Sequence, residues 1–308
     1  MNNISQPKKI LVLKGGISSE KLVSLESGRC IEKALEKLGY TFISFDLADG
    51  LKALIDVIEK EKPDVVFNAL HGGWGENGSV QAFLNMLQIP YTHSGVLASA
   101  LAMNKNETKK IAETLGVDVP KGLFLDGVQL KGMQQVDFDC VIKPNQEGSS
   151  VGVHLLKKGD LIPSELKLVE DDKTFLIEEY IPGQEFSVAV TDEEALGIIE
   201  IVPKTGFYDY EHKYVDGLTD HVIRHDLAPE ICEKLLNGAF KMHHRLGCKG
   251  VSRSDFRYDP QTGRVVFLEL NANPGMTDLS LVPELVLEKG ISYQTLVDML
   301  IKKAGFEK

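Results

Sequence analysis

A chain of 308 residues, 43% hydrophobic and 26% charged, is an ordinary globular mixture long enough for two or three domains. Its formal net charge of −11 argues against a binder of the nucleic-acid backbone, which needs a basic face, but leaves room for a local basic pocket around a small phosphate ligand. No apolar run approaches the roughly 20 residues of a membrane helix, the apolar stretch after Lys9 is too short for a signal-peptide core, and Cys30, Cys140, Cys232 and Cys248 show no CxxC spacing, so the expectation is a cytoplasmic protein with reduced thiols.

In chain order, "KKILVLKGG" reads as a strand running into glycines, and "SLESGRCIEKALEKLGY" as a helix stopped at Gly39. "TFISFDL" is a strand, "LKALIDVIEKEKP" a helix ended by Pro63, "DVVFNALHG" a strand, "GSVQAFLNMLQI" a helix and "PYTHSG" a short extended piece. Strands separated by such helices imply βαβ units and a parallel sheet covered on both faces. From about residue 97 the pattern changes. "ASALAMNKNETKKIAETLG" reads as one helix, and "GLFL", "FDCVIKP", "VGVHLL" and "TFLIEEYI" as strands of mixed character. From about 184, "EFSVAVT" and "ALGIIEIVP" read as antiparallel strands, with "DEE" (192–194) as a solvent-facing turn between them. The helix "APEICEKLLNGAFKMHHRLG" follows, with His243 and His244 taken as packing or surface residues. Strands "GVSRSDFRYD" and "RVVFLELN" and the helix "SYQTLVDMLIKKAG" close the chain. The stretch 204–221, "KTGFYDYEHKYVDGLTDH", lacks periodicity but holds four aromatics, so it is expected to be a loop ordered or closed by a ligand.

Two constellations carry chemistry. "DPQTG" is strong turn chemistry, and folding about it sets Asp255 opposite Glu269 to within about one residue. Side chains two apart on a strand share a face, so Arg253, Asp255, Glu269 and Asn271 share one surface. Opposed carboxylates repel. The spacing leaves two readings: a divalent-cation site, for which Asp, Glu and Asn oxygens suit Mg²⁺, or a solvated outer face neutralised by Arg253. In "CVIKPNQEGSSVGV", Lys143 ends a strand before Gly148, Ser149, Ser150 and Gly152. Such a turn lets backbone N–H groups approach phosphate oxygens while the lysine supplies a point charge. No GxxxxGK[ST] occurs, so it is not a Walker A loop, and a plain hairpin turn remains open. Together the two fit a nucleoside triphosphate.

"KPNQEGSSVGV", "LIEEYIPGQEFSV", "GFYDYEHKY", "GVSRSDFRYD" and "LELNANPGMTDLSLVP" follow the order of motifs in D-alanine–D-alanine ligases of the ATP-grasp superfamily, and "LKGGISSEKLVSLESG" with "NALHGGWGENGSVQ" resembles that family's first-domain motifs. The resemblance spans essentially the whole chain. It implies an α/β and α+β protein: an ATP-grasp fold with an N-terminal parallel-sheet domain of the Rossmann-like, pre-ATP-grasp kind. The implied domains are 1–96 with the first D-alanine site, 97–183, and 184–308 with the metal and substrate site. Carried over by position, Lys105 and Lys143 contact ATP phosphates, Ser149 and Ser150 lie in the phosphate-covering turn, Glu178 and Ile181 meet the adenine edge, and Glu185 meets the ribose. Asp255, Glu269 and Asn271 hold two Mg²⁺ ions, which Mn²⁺ can replace. Glu20 receives the first D-alanine's ammonium, with His71 nearby. Arg253 and the Gly275 N–H stabilise the oxyanion, and Ser280 and Leu281 bind the second D-alanine's carboxylate. Lys213 and Tyr214 sit in the loop that closes, where Tyr214 joins Ser149 and Glu20 in positioning or proton handling.

The implied reaction activates one D-alanine as an acyl phosphate, which the amine of a second attacks, for peptidoglycan precursor synthesis and thus cell-wall biogenesis and cell shape. A cytoplasmic homodimer with no nucleic-acid or membrane partner is implied as well. Asn104 stands where Asp is common and Leu22 where Glu is common, which bears on local packing. A D-lactate-using ligase is the nearest rival, but such ligases lack the Lys–Tyr pair that "EHKYVDG" keeps. A nucleotide-binding regulator without ligase activity is the rival from another class, since the N-terminal βαβ units alone permit it.

Overall fold

The computed structural model describes residues 9–204 and 217–307. Three sheets organise it. The first is parallel, in the order β2-β1-β3, from β1 (Lys9–Lys14), β2 (Thr41–Asp46) and β3 (Val65–Asn68). Alternation along β1 sends Ile10 and Val12 to one face and Leu11 and Leu13 to the other, and all four are fully buried. Helix α1 (Lys21–Leu38) covers the first face with Ile31 and Leu35 and ends on Gly39 in the left-handed conformation. Helices α2 (Leu51–Glu61), α3 (Gly73–Glu76) and α4 (Ser79–Met86) follow in chain order, with Leu54, Ile58 and Leu84 against the second face.

The second sheet is antiparallel, β4-β7-β5-β6, from β4 (Gly122–Asp126), β5 (Cys140–Pro144), β6 (His154–Leu156) and β7 (Thr174–Glu179). The third is antiparallel, β10-β9-β8-β11-β12, from β8 (Gln184–Thr191), β9 (Ala195–Pro203), β10 (Thr219–Ile223), β11 (Val251–Asp259) and β12 (Arg264–Asn271). One core layer joins Phe186, Val188, Phe256 and Phe267 to Ile231, Leu235 and Met242 of the helix Pro229–Leu246. On the opposite side, Ala189, Ile199 and Val251 pack with Leu281 and Leu285 of the helix Leu281–Glu288 and with Leu296 and Leu300 of the helix Tyr293–Lys302. That same core contains Ile10, Val12 and Phe67 of the first sheet, so strand β1 and the helices Leu281–Glu288 and Tyr293–Lys302 are buried together.

Several elements differ from the sequence reading. The stretch read as one helix from 98 to 116 is two, α5 (Val96–Met103) and α6 (Lys105–Thr114). Asn104 breaks it by leaving helical dihedrals (φ −87°, ψ 93°), and its side-chain oxygen accepts the Glu107 N–H at 3.2 Å. Strand β10 lies within and just beyond the stretch read as a loop, and the helix Leu281–Glu288 was not anticipated. Asp192 is not merely solvated: it accepts the Gly250 N–H at 2.9 Å and meets Lys303 at 2.9 Å. His243 is a fully buried packing residue held by the Ser252 hydroxyl at 2.7 Å, and His244 is exposed. All four cysteines are free thiols, and among the described residues no helix is long and apolar enough to cross a membrane.

Candidate active site

The turn Asp259–Gly263 closes the β11–β12 hairpin with the Gly263 N–H donating to the Asp259 carbonyl at 2.8 Å, and it sets Asp255 opposite Glu269 and Arg253 opposite Asn271. All four side chains reach one cavity. A bulge makes this compatible with a packed core. Phe256 pairs with Phe267, so Leu268 has no partner across the ladder. Phe267 can therefore bury in the core while its neighbours Leu268 and Glu269 both line a second, adjoining cavity.

The opposed acids are neutralised by cations. Arg253 donates to Asp255 through Nε at 2.9 Å and Nη2 at 2.8 Å, and the Ser187 hydroxyl also donates to Asp255. Glu269 lies 3.3 Å from the ammonium of Lys105, which donates to the Glu147 carbonyl at 2.5 Å. The Asn271 side-chain oxygen accepts the Asn273 N–H at 2.8 Å. Among the described residues no group of three or more His, Cys, Asp or Glu side chains converges as a metal cage. Two carboxylates and an amide at a cavity wall still suit Mg²⁺, which takes its remaining ligands from phosphates and water.

The Gly–Ser turn faces the hairpin across this space. Ser149 and Ser150 are both left-handed, at φ +51° and +59°, a conformation sparsely populated by residues with a Cβ. The twist sends Ser149 into the first cavity, where its hydroxyl donates to Glu20, and Ser150 into the second. Glu20 precedes α1, is buried, and sits between two glycines: a Cβ on Gly72 would come 2.5 Å from its Oε2, and one on Gly148 3.0 Å. His71 is fixed beside it, with Nε2 2.9 Å from the Ser27 hydroxyl and Nδ1 3.2 Å from Glu76. Gly275, Ser280 and Leu281 line the far end of the same cavity, where the Ser280 hydroxyl accepts the Thr277 N–H at 3.0 Å and Leu281 starts a helix.

The second cavity is a slot between the two antiparallel sheets, lined by Val141, Lys143, Glu178, Ile181, Glu185 and Leu268. Lys143 is 2.9 Å from one oxygen of Glu178, and Lys109 meets the other. Burial opposes ionisation of Glu178, yet Lys143 and Lys109 hold its carboxyl below the usual carboxylate range. Burial likewise opposes the charge on Lys143, but Glu178, with Glu269 beyond, holds its ammonium above its ordinary value. The two cavities share Lys105, Glu147, Gly148, Asp255 and Glu269, so they form one continuous site.

Every site residue expected from sequence within the described residues is thus brought to this double cavity; Lys213 and Tyr214 lie outside those residues. Three contributors were not anticipated. Arg257 donates to the carbonyls of Ile181 and Gly183 at 3.1 and 2.9 Å and lies 3.3 Å from Glu185, bracing the slot's edge. Ser187 holds Asp255, and Lys109 holds Glu178. Arg257 and Ser187 were legible in principle, since both continue the inward alternation of β11 and β8. Lys109 could be found only as the residue one helical turn after Lys105.

A slot between two antiparallel sheets, in which Lys105 and Lys143 and the Gly–Ser turn face an acidic hairpin, is the arrangement of an ATP-grasp enzyme. Family models described as D-ala D-ala ligase C-terminus and N-terminus match residues 124–302 and 48–94. The chain is 43% identical to a D-alanine–D-alanine ligase of Wolbachia sp. subsp. Brugia malayi, over 95% of this chain and 91% of that one. Its structure is similar to that of a D-alanine–D-alanine ligase from Bacillus anthracis complexed with ATP (TM-score 0.79, 34% identity, 97% of each chain). It is also similar to a D-Ala:D-Ser ligase from Enterococcus faecalis (TM-score 0.75, 28% identity, 96% of this chain and 99% of that one). The chain belongs to the D-alanine–D-alanine ligase family.

Proposed function

We propose that this enzyme joins two D-alanines at the expense of ATP, supplying the dipeptide for peptidoglycan precursors. The observation that carries the reading is the single space shared by the Gly–Ser turn and the Asp255–Glu269 hairpin face. Adenine enters the slot beside Glu178 and Ile181, and the ribose reaches Glu185. The phosphates lie toward Lys105, Lys143 and the N–H groups of the turn at Ser149 and Ser150. Asp255, Glu269 and Asn271 hold magnesium, which when bound neutralises charge on the phosphoryl oxygens.

Glu20 takes the ammonium of the first D-alanine beside His71 and aims its carboxylate at the γ-phosphorus. The bond to the bridging oxygen breaks, ADP departs and an acyl phosphate forms. The helix start at Leu281, with the Ser280 hydroxyl at its N-cap, binds the second D-alanine's carboxylate. The amine, once deprotonated, attacks the acyl carbon. The oxyanion meets Arg253, whose guanidinium plane Asp255 fixes, and the Gly275 N–H; phosphate then leaves. Lys213 and Tyr214 belong to the segment assigned to closure, which keeps water from the acyl phosphate.

A homodimer follows from the family likeness, with exposed Met86, Leu87 and Leu97 on α4, its C-cap and α5 offering an apolar face, and mass measurement in solution tests it. We place the enzyme in the cytoplasm with its nucleotide. The deciding experiment is phosphate release from ATP with D-alanine, against L-alanine, D-serine and D-lactate as second substrates. D-alanine-dependent release yielding the dipeptide is expected; release with D-lactate or D-serine alone overturns the choice of amine, and no release with any of them overturns ligation.

A further inference from the structure

Helix α6 carries two lysines one turn apart. Lys105 opens the helix and lines both cavities, whereas Lys109, on the same face, lines neither and lies behind the slot wall. Its side chain is 7% exposed, and its ammonium meets Oε1 of Glu178, whose side chain is 4% exposed. Lys143 reaches Oε2 of the same carboxylate at 2.9 Å, and Lys143 does face the slot. One enclosed carboxylate therefore meets two enclosed ammonium groups, one at each oxygen, and the two ammonium groups also lie close to each other.

An arriving polyphosphate meets this cluster through Lys143. Its oxygens are strong acceptors for the ammonium that can reach them, Lys143. When Lys143 turns to phosphate, the buried Glu178 loses one of its two partners. A buried carboxylate stripped of counter-ions protonates or moves. Lys109 lines neither cavity, so it remains a partner of Glu178.

We propose that Lys109 is a positioning residue of the nucleotide site: it is the fixed counter-ion that holds Glu178 ionised and in place while Lys143 serves the phosphates, and so makes the slot prefer a base with an exocyclic amino group over one with a carbonyl at that edge. An ionised carboxylate only accepts hydrogen bonds. It accepts from the 6-amino group of adenine and repels the 6-carbonyl of hypoxanthine. Burial first, and Lys143 beside it second, draws Lys109 down to about 7; departure of Lys143 removes the second influence and strengthens the charge on Lys109 when it is needed.

The inference rests on the nucleotide reading of the slot, and binding measured without D-alanine separates the two. Calorimetry with Mg-ATP and Mg-ITP compares wild type, K109M, E178Q and K109M/E178Q. If wild type binds neither nucleotide, the nucleotide reading itself fails. If it prefers ATP, K109M is expected to bind ATP about tenfold or more weakly and to lose most of the ATP-over-ITP preference. A wild type without an ATP-over-ITP preference overturns the proposal, as does a K109M protein with wild-type affinity and preference. If K109M does not fold, E178Q and K109M/E178Q decide. Acting only through Glu178, Lys109 leaves their ATP:ITP ratios alike, and a gap beyond about threefold overturns the assignment.

Discussion

Replacing Ser149 separates two properties that the wild-type residue combines. Its backbone is left-handed, at φ +51°, which for a residue with a Cβ costs about 1–3 kcal/mol. Its hydroxyl donates to Glu20, 129 positions away in sequence, and so fastens the Gly–Ser turn to the start of α1. A hydrogen bond to an ionised group contributes about 1.5–3 kcal/mol. Ser149→Ala removes the bond and keeps the strain; Ser149→Gly removes the bond and relieves the strain. At about 1.36 kcal/mol per factor of ten, both should lower kcat/KM for the first D-alanine by about 10–150-fold. They should part in stability, with the glycine variant about 1 kcal/mol more stable than the alanine variant in urea. Steady-state phosphate release and urea midpoints are the assays. Wild-type kcat/KM in Ser149→Gly would show that only the conformation of the turn matters and refute the role given to the hydroxyl.

Glu269→Gln should lower magnesium-dependent turnover by more than about 100-fold, since even groups outside the inner ligand set commonly change activity by about 10–100-fold. Its partly exposed side chain implies an unchanged melting temperature, and normal turnover across a magnesium titration would remove Glu269 from the metal set. Gly72→Ala pushes a Cβ toward the Glu20 carboxylate at a φ of +65°. It should destabilise by about 1–3 kcal/mol and raise KM for the first D-alanine more than KM for ATP; equal effects on both would count against the Glu20 assignment. Asp192 is partly buried, which alone would raise its pKa, but His243, Lys303 and the Gly250 N–H bring it down to about 2 from 3.8. A carboxyl depressed in the folded state stabilises above the unfolded pKa and loses that contribution as pH falls from about 4 toward 2. With 34% of the side chain exposed, about 1 kcal/mol is expected after allowing for solvent screening. Asp192→Asn should therefore trail wild type in urea midpoint at pH 7 and converge with it near pH 2, and a gap independent of pH would contradict the ion-pair account.

Much of this site was legible because strong local rules fixed it. The turn after Asp259 sets the hairpin register, and alternation then places Arg253, Asp255, Glu269 and Asn271 on one face. The bulge at Leu268 was not legible, because nothing in "VVFLEL" shows which residue will lack a cross-strand partner. The break at Asn104 was hidden by apolar periodicity that runs straight through it; only its capping bond to the Glu107 N–H reveals it. The helix Leu281–Glu288 is short and begins with Pro at its third position, so its pattern was too brief to declare itself. Lys109 looked like any surface lysine of a polar helix, since its burial depends on where Glu178 arrives from another sheet.

The core that unites Ile10 and Val12 with Leu285, Leu296 and Leu300 has a consequence for biogenesis. Strand β1 is made long before the helices that supply part of the apolar cover for one face of its sheet. Until the closing helices emerge, that face stays incompletely covered, held by α1 alone and open to chaperones or to other nascent chains. Closing this layer joins residues nearly the full chain length apart, which makes it a late, slow event.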